Sequence, residues 1–538
     1  MGIDFNKDPI SLEIAWGRLQ AIVDEAAAGL IRTAFSPIIR EGKDFTVMLL
    51  DPSGHSVVQS TQSIPAFIGT MPRTMRAMLE KFPLAVWQPG DVVGTNDPWL
   101  GAGHLPDVNI AQPLFRGGRL VAFAGVIAHM ADIGGRGFSS DAREVYEEGL
   151  RIPICQFRHQ GTVNELLYDI IADNVRLPRQ VLGDIEAMIA VGFQIEARLE
   201  RFLGELGLGD IDGLGAAIQG RSEKAMRQAI TQVPAGTYQD TVPVDGLGQD
   251  LQISVAVTFH GSDISVDYAG CSPQIQGGIN STFGYSYSYT AYALKCLLSP
   301  HVPINDGTFR PVKMTSPEGT IIHCRPPAAV AARSQVGHYI SSAIYGALAA
   351  VVPQKVIADS GSPRPMVIIS GHNDANEAFV TTVLVHGGMG ATPHGDGLPC
   401  IAFPTNTAGI PVEIVEATTP VLIEEKEFVA NSGGRGQFRG GLAQRIVIRM
   451  LSSQPTRVSI MAQRDRFAPR GLFGGMAGRK FYASLNDGEA INVHGITTLK
   501  RGDRLVLDSP GGGGFGPPGE RTAEAEERDR RNGVTQAT

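Results

Sequence analysis

His104 and Asp107 stand three residues apart, with Gly101 and Gly103 before them and Pro106 between them, and His129 ends an apolar run from Leu120 to Ala128. If that run is a strand, it can return an imidazole to the turn that carries the other two side chains. Two imidazoles and a carboxylate form a mixed nitrogen and oxygen donor set that suits zinc, iron or manganese. The chain has only 12 histidines in 538 residues, and these two lie in a stretch that also holds Asp97 and Asp132. No helical or zinc-finger spacing fixes the geometry, so a metal site and a pair of solvated or hydrogen-bonded histidines both stay open at this point.

The elements that must position these residues can be read from periodicity. Leu120 to Ala128 reads as a strand. Phe45 to Leu50 reads as another, closed by the turn Asp51, Pro52, Ser53, Gly54. Glu41 and Asp44 stand just before it, where loop residues on a rigid scaffold can point into a cleft. Pro9 to Pro37 has apolar residues at helical spacing, among them Leu12, Leu19, Ile22, Val23, Ala26 and Leu30. Asn164 to Leu206 predicts a two-helix unit. From Ile211 to Gly236 the pattern loosens, and beyond it Leu251 to Phe259 and Ile264 to Tyr268 alternate as strands do.

These readings place a soft boundary near residue 230. The expected fold is α+β or mixed α/β, with a helix-rich N-terminal half, 1–230, bearing the candidate metal site. A β-rich, glycine-punctuated half, 231–516, and a polar tail, 517–538, solvated as a helix or disordered, complete it. Four glycine clusters, His386 to Gly397, Ser432 to Gly441, Gly471 to Gly478 and Gly511 to Gly516, match no phosphate-binding motif and predict tight turns at positive φ.

Composition removes several function classes. Lys plus Arg at 46 against Asp plus Glu at 54 gives a net charge of −8 without a sizeable basic block, which leaves little to bind nucleic acid. No stretch approaches the roughly 20 apolar residues of a membrane span. Met1 to Pro9 lacks the regions of a signal peptide, so a cytoplasmic location is expected. The five cysteines, Cys155, Cys271, Cys296, Cys324 and Cys400, are scattered without a CxxC pair and read as buried thiols.

Over nearly its whole length the chain resembles the hydantoinase B family, the metal-bearing subunit of ATP-dependent cyclic amide hydrolases such as N-methylhydantoinase and caprolactamase. That family is related to 5-oxoprolinase and to acetone and acetophenone carboxylase subunits. The resemblance is carried by Glu41, Asp44 and Phe45, by Asn96 to Pro98, His104 to Asp107, His129, Asp132 to Gly135, and Glu148 with Gly149. It continues through Asn174, Arg176, Pro178, Ser432 to Gly434, Arg439 to Gly441, Arg466 to Gly471 and Pro510 to Gly516.

The resemblance implies a divalent metal, zinc, iron or manganese, held by His104, Asp107, His129 and an upstream carboxylate, Asp44, with Glu41 as the alternative. Asp132 is implied either as a catalytic partner that orients an imidazole or as a structural turn residue, and Asp97 as structural. It also implies a hydantoinase A-type ATPase partner that binds ATP, in a heterodimer or heterotetramer. The partner phosphorylates the amide oxygen, and metal-activated water then attacks the activated carbon. A ketone carboxylase subunit and a non-catalytic assembly subunit are the alternative functions. The chain departs from the family where relatives often carry a histidine and it reads Ala66, Phe67, Ile68, Gly69, and again at Asn431 and Arg435.

Overall fold

The computed structural model describes residues 4–401, 403–486 and 488–536. It is a mixed α+β structure in which helices pack around four sheets. The first helix, Pro9–Thr33, starts where Asp8 accepts a hydrogen bond from Ser11 N at 3.0 Å and a proline occupies the first turn. Its buried stripe, including Leu12, Leu19, Val23 and Leu30, packs on the helix Pro178–Glu205.

The N-terminal sheet holds β1 (Phe45–Leu50), β2 (Ser56–Gln59), β3 (Val92–Thr95), β4 (Asp107–Arg116), β5 (Arg119–His129), β6 (Cys155–His159) and β7 (Thr162–Val163). Their order across the sheet is β2-β1-β5-β4-β3-β6-β7. At the centre, β4 and β5 form a hairpin whose two-residue loop is Gly117 and Gly118, both at positive φ, the backbone such a tight turn demands. Both strands are buried over most of their length, which locks the pairing because a one-residue slip would turn every side chain over.

The helices Glu165–Asn174 and Pro178–Glu205 follow as the periodicity predicts. The segment over which the pattern loosens forms the helix Asp212–Ile230. Glycines at 213, 215 and 220 dilute its apolar signal, yet Leu214, Ile218, Met226 and Ile230 still bury one face.

A four-stranded sheet then joins β8 (Gly236–Asp245), β9 (Asp250–His260), β10 (Asp263–Asp267) and β11 (Val312–Thr315), with β11 parallel to β10. The remaining strands are β12 (Met366–His372), β13 (Ala378–Leu384), β14 (Val421–Val429), β15 (Ala443–Met450), β16 (Thr456–Met461), β17 (Tyr482–Leu485), β18 (His494–Leu499) and β19 (Arg504–Asp508). They form two antiparallel sheets, β13-β12-β16-β18 and β14-β15-β19-β17, which share one apolar core. Alternation along β12 is what ties this half to the site. Val367 and Ile369 enter that core, while Met366 and Ile368 join the main cluster, which draws on residues from Phe5 to Phe515.

The glycine clusters are not mainly turns. Most of their glycines lie outside positive φ and pack backbone against backbone. A Cβ on Gly388 would lie 1.9 Å from Gly441 O, one on Gly512 2.0 Å from Met389 O, and one on Gly513 2.0 Å from Arg470 O. Hydrogen bonds such as Gly441 N to Met389 O at 2.7 Å and Gly512 N to Gly441 O at 3.0 Å stitch the extended segments together. The tail contains a helix, Ala523–Arg531, that is anchored to the body of the protein. Asp529 is buried beside Arg521, and Arg521 also pairs with Asp396 at 2.8 Å. Among the described residues, no helix is long and apolar enough to cross a membrane.

Candidate metal centre

Asp107 begins β4 and His129 ends β5, and the register sets them directly opposite each other. The loop before β4 is fixed by Asn96, whose side chain donates to Leu105 O at 2.8 Å and Leu150 O at 2.9 Å and accepts from Ile152 N at 2.6 Å. Gly103, at φ +94°, turns the chain where a Cβ would lie 2.7 Å from Arg333 Cδ, so His104 and Arg333 can reach the same carboxylate. His129 N donates to Asp44 O at 3.0 Å, which brings the residue before β1 to the same end of the sheet.

The three side chains converge. Asp107 Oδ1 lies 2.9 Å from His104 Nε2 and 3.0 Å from His129 Nδ1. All three residues are buried, and their potential ligand atoms lie within 4.8 Å of one another. His104 Nδ1 donates to Ala331 O at 2.8 Å, which leaves the lone pair on Nε2. That atom makes no hydrogen bond although it is buried and faces a carboxylate oxygen. Two facing lone pairs at this distance repel unless a cation lies with them, so the donors fit a metal. A backbone carbonyl behind the imidazole is also the usual second partner of a metal-binding histidine.

Electrostatics keep this set in ligand form. Burial pushes His104 down to about 4, reinforced by the Arg333 guanidinium, so the ring is neutral at neutral pH. Burial acts to raise Asp107, but its charged contacts outweigh it, the Arg333 guanidinium on Oδ2 among them, and hold the carboxyl well below the usual range. Arg333 Nη2 donates to Asp107 Oδ2 at 2.5 Å, its Nε donates to Ala102 O at 2.7 Å, and its guanidinium lies 4.2 Å from the Tyr285 ring centre.

A cavity of about 40 Å³, room for a few water molecules, opens on these groups. Asp44 lines it, and Glu41 does not; Glu41 lies 3.7 Å from Arg40 instead. Burial raises Asp44, opposed by His129. Ala66 and Phe67, at the departure from the family pattern, give the cavity an apolar wall, with Phe138 5.3 Å from His104 and 5.4 Å from His129, ring to ring. Met366, Thr382 and Leu384 close it from β12 and β13.

Asp132 does not join the group. Its carboxylate pairs with Arg176 Nη1 at 2.9 Å, accepts from Arg176 N, and accepts from Gly134 N at 3.2 Å, in a neighbouring pocket. Among the described residues no imidazole hydrogen-bonds to it; Ala331 O meets His104 Nδ1, and Asp107 meets His129 Nδ1. Asp97 is structural, bonded to Trp99 N at 2.9 Å and to Arg151 Nε at 2.9 Å. Asn431 and Arg435 lie in a separate pocket beside the tail.

Sequence reasoning missed Arg333, Arg364 and the tyrosines Tyr285 and Tyr289, and gave Glu148 no role beyond the resemblance it helps to carry. Arg333 did leave a signal, a lone charge ending the apolar run Ala328 to Ala332. Glu148 Oε1 accepts from Val330 N and Ala331 N, both at 2.7 Å, and so clamps the backbone just before the Ala331 carbonyl that holds His104.

Comparisons with known proteins agree with this architecture. A family model described as hydantoinase B/oxoprolinase matches residues 8–518. A putative D-/L-hydantoinase component of the B type, from Pseudomonas sp. (strain NS671), is 31% identical over 546 residues, covering 96% of this chain and 91% of that protein. The crystal structure of an ATP-dependent caprolactamase from Pseudomonas jessenii matches with a TM-score of 0.91 at 26% identity, covering 98% of this chain and 94% of that one. A nucleotide-free acetone carboxylase shares the fold, with a TM-score of 0.88 at 20% identity over 99% of this chain and 78% of that one. The chain therefore belongs to the hydantoinase B/oxoprolinase family.

Proposed function

We propose that this chain is the metal-bearing, ring-opening subunit of an ATP-dependent cyclic amide hydrolase, acting on a hydantoin, lactam or 5-oxoproline ring with a separate ATPase subunit. The hydantoinase and caprolactamase relatives support the substrate class. The observation that carries the reading is the 2.9 Å approach of His104 Nε2 and Asp107 Oδ1, two buried lone-pair atoms beside His129. A subunit that served only as a scaffold has no use for such a pair.

Asp44, His104, Asp107 and His129 are the residues that would hold the divalent cation, zinc, iron or manganese. When bound, it supplies Lewis acidity and a water that ionises near neutral pH. An amide in a ring resists attack because its nitrogen donates into the carbonyl. Phosphorylation of the carbonyl oxygen, with ATP on the partner chain, removes that resistance before the ring carbon reaches this pocket. Arg333 holds Asp107 ionised and oriented, and Glu148, by fixing the backbone at Ala331, supports the carbonyl that sets the tautomer of His104. Phe67, Phe138 and Leu384 exclude bulk water, which strengthens every polar contact inside.

The test is co-expression with the ATPase partner and assay of ADP release and ring opening over hydantoin, N-methylhydantoin, 5-oxoproline and larger lactams. Substrate-dependent ADP release coupled to a ring-opened product is expected. ADP release only with a ketone and bicarbonate would assign the chain to the carboxylases, and no coupled turnover with either class would favour an assembly role.

A further inference from the structure

The cavity holds buried donors that the ring-opening reading leaves idle. Three arginines are almost fully buried in this region: Arg333, Arg364 and Arg464. Arg333 is bonded to Asp107 and Ala102 O. Arg464 donates to Ser362 O at 2.8 Å, lies 3.5 Å from Asp359 and rests 4.2 Å from the Tyr339 ring centre. Arg364 is different. It is 5% exposed and lines the cavity, yet its Nε and Nη1 have no hydrogen-bond partner among the described residues. Thr407 lines the same cavity, and its buried Oγ1 is also without a partner.

Two unpartnered guanidinium nitrogens withdrawn from water are costly for a fold to keep, even with the Asp44 carboxylate acting on the charge. Arg364 lies between Pro363 and Pro365, whose fixed φ angles hold its backbone in place. The charges around the cavity point the same way. Two carboxylates, Asp44 and Asp107, balance two guanidiniums, Arg333 and Arg364. A divalent cation bound beside them, as the ring-opening reading has it, would add positive charge to the pocket and favour an anionic ligand.

We infer that Arg364 and Thr407 form an oxyanion subsite, which receives a phosphoryl or carboxylate group of the ligand in the same cavity as His104, Asp107 and His129. A guanidinium fork matches either anion. The inference rests on the ring-opening reading only for the source of that anion: a phosphoryl group placed by the partner ATPase or a carboxylate carried by the ring itself.

The experiment is calorimetric titration of the full chain with inorganic phosphate and, separately, with acetate, for wild type, Arg364→Gln, Arg364→Lys and Thr407→Val. Metal content and thermal melts are recorded for each. Wild type should bind one of the anions, Arg364→Gln should lose about tenfold or more in affinity with its metal intact, and Arg364→Lys and Thr407→Val should lose less. Preference for phosphate assigns the subsite to a phosphoryl group, and preference for acetate assigns it to a ring carboxylate. No anion binding by wild type, or unchanged binding by folded Arg364→Gln, overturns the inference. If Arg364→Gln does not fold, unchanged binding by Thr407→Val together with Arg364→Lys overturns it. Ring opening with unaltered anion binding in the variants would retain the function and reject the subsite. Anion binding lost in Arg364→Gln without any ring opening by wild type and its ATPase partner would do the reverse.

Discussion

Asp107 and His129 face each other across the β4–β5 ladder, and Asp107 Oδ1 stands 3.0 Å from His129 Nδ1. The same oxygen meets His104, while Oδ2 is held by Arg333, so one carboxylate joins both imidazoles to a buried guanidinium. Removing it strands that guanidinium. In metal-free protein, Asp107→Ala should lower unfolding stability by about 3–5 kcal/mol, and Asp107→Ala with Arg333→Met should recover part of the loss. Urea denaturation measures both, and a loss under about 1 kcal/mol in the single variant would contradict the buried pairing.

Glu148 acts at one remove from His104. Burial pushes its carboxyl up to about 8 from an ordinary 4.5, so the folded protein binds an extra proton between those values. A raised folded pKa means its stabilising contribution is complete below about pH 4.5 and is lost as pH rises through about 8. Glu148→Gln keeps an acceptor for Val330 N and Ala331 N but cannot titrate. Its stability should therefore fall less than that of wild type between pH 5 and 8, by a few kcal/mol in order of magnitude. Glu148→Ala should instead weaken metal affinity by about 10–100-fold, because the Ala331 carbonyl loses its support. Denaturation at several pH values and metal titration check the two expectations.

Asp132 separates a structural role from a catalytic one. Its partners are Arg176 and Gly134 N, so Asp132→Asn should leave metal content unchanged while lowering stability by about 1–3 kcal/mol. Loss of metal from a folded Asp132→Asn protein would instead favour a role in the site.

Gly512 and Gly220 make opposite predictions from the same substitution. A Cβ on Gly512 would meet Met389 O at 2.0 Å, so Gly512→Ala should cost about 3 kcal/mol or more, or yield insoluble protein. Gly220 lies exposed in the helix Asp212–Ile230 with nothing within 4 Å of its added Cβ, so Gly220→Ala should stabilise by about 0.5–1 kcal/mol. Thermal melts of the two variants should move in opposite directions.

The contrast between these glycines shows what the sequence could carry. Local patterns were legible: Phe45 to Leu50 is a strand at the bounds its residues suggest, and the first helix starts at Pro9. The convergence of His104, Asp107 and His129 was half legible, because a strand ending in His129 could return to the turn, but its partner strand begins at Asp107 itself. Arg333 and Arg364 lie more than 200 residues from that hairpin, and nothing local announces a contact made by the packing of distant elements. The glycine clusters misled for a physical reason. Glycine serves positive φ and close backbone approach equally well, and one sequence does not say which need it meets.

The most direct test is the metal content of purified full-length chain by mass spectrometry, for wild type, His104→Ala, His129→Ala, Asp44→Asn and Glu41→Gln. The expected result is about one divalent cation per chain in wild type and Glu41→Gln, and little in the other three, with zinc, iron or manganese as the element found. Full metal in folded His104→Ala and His129→Ala would contradict the site, and loss in Glu41→Gln with retention in Asp44→Asn would move the upstream ligand to Glu41.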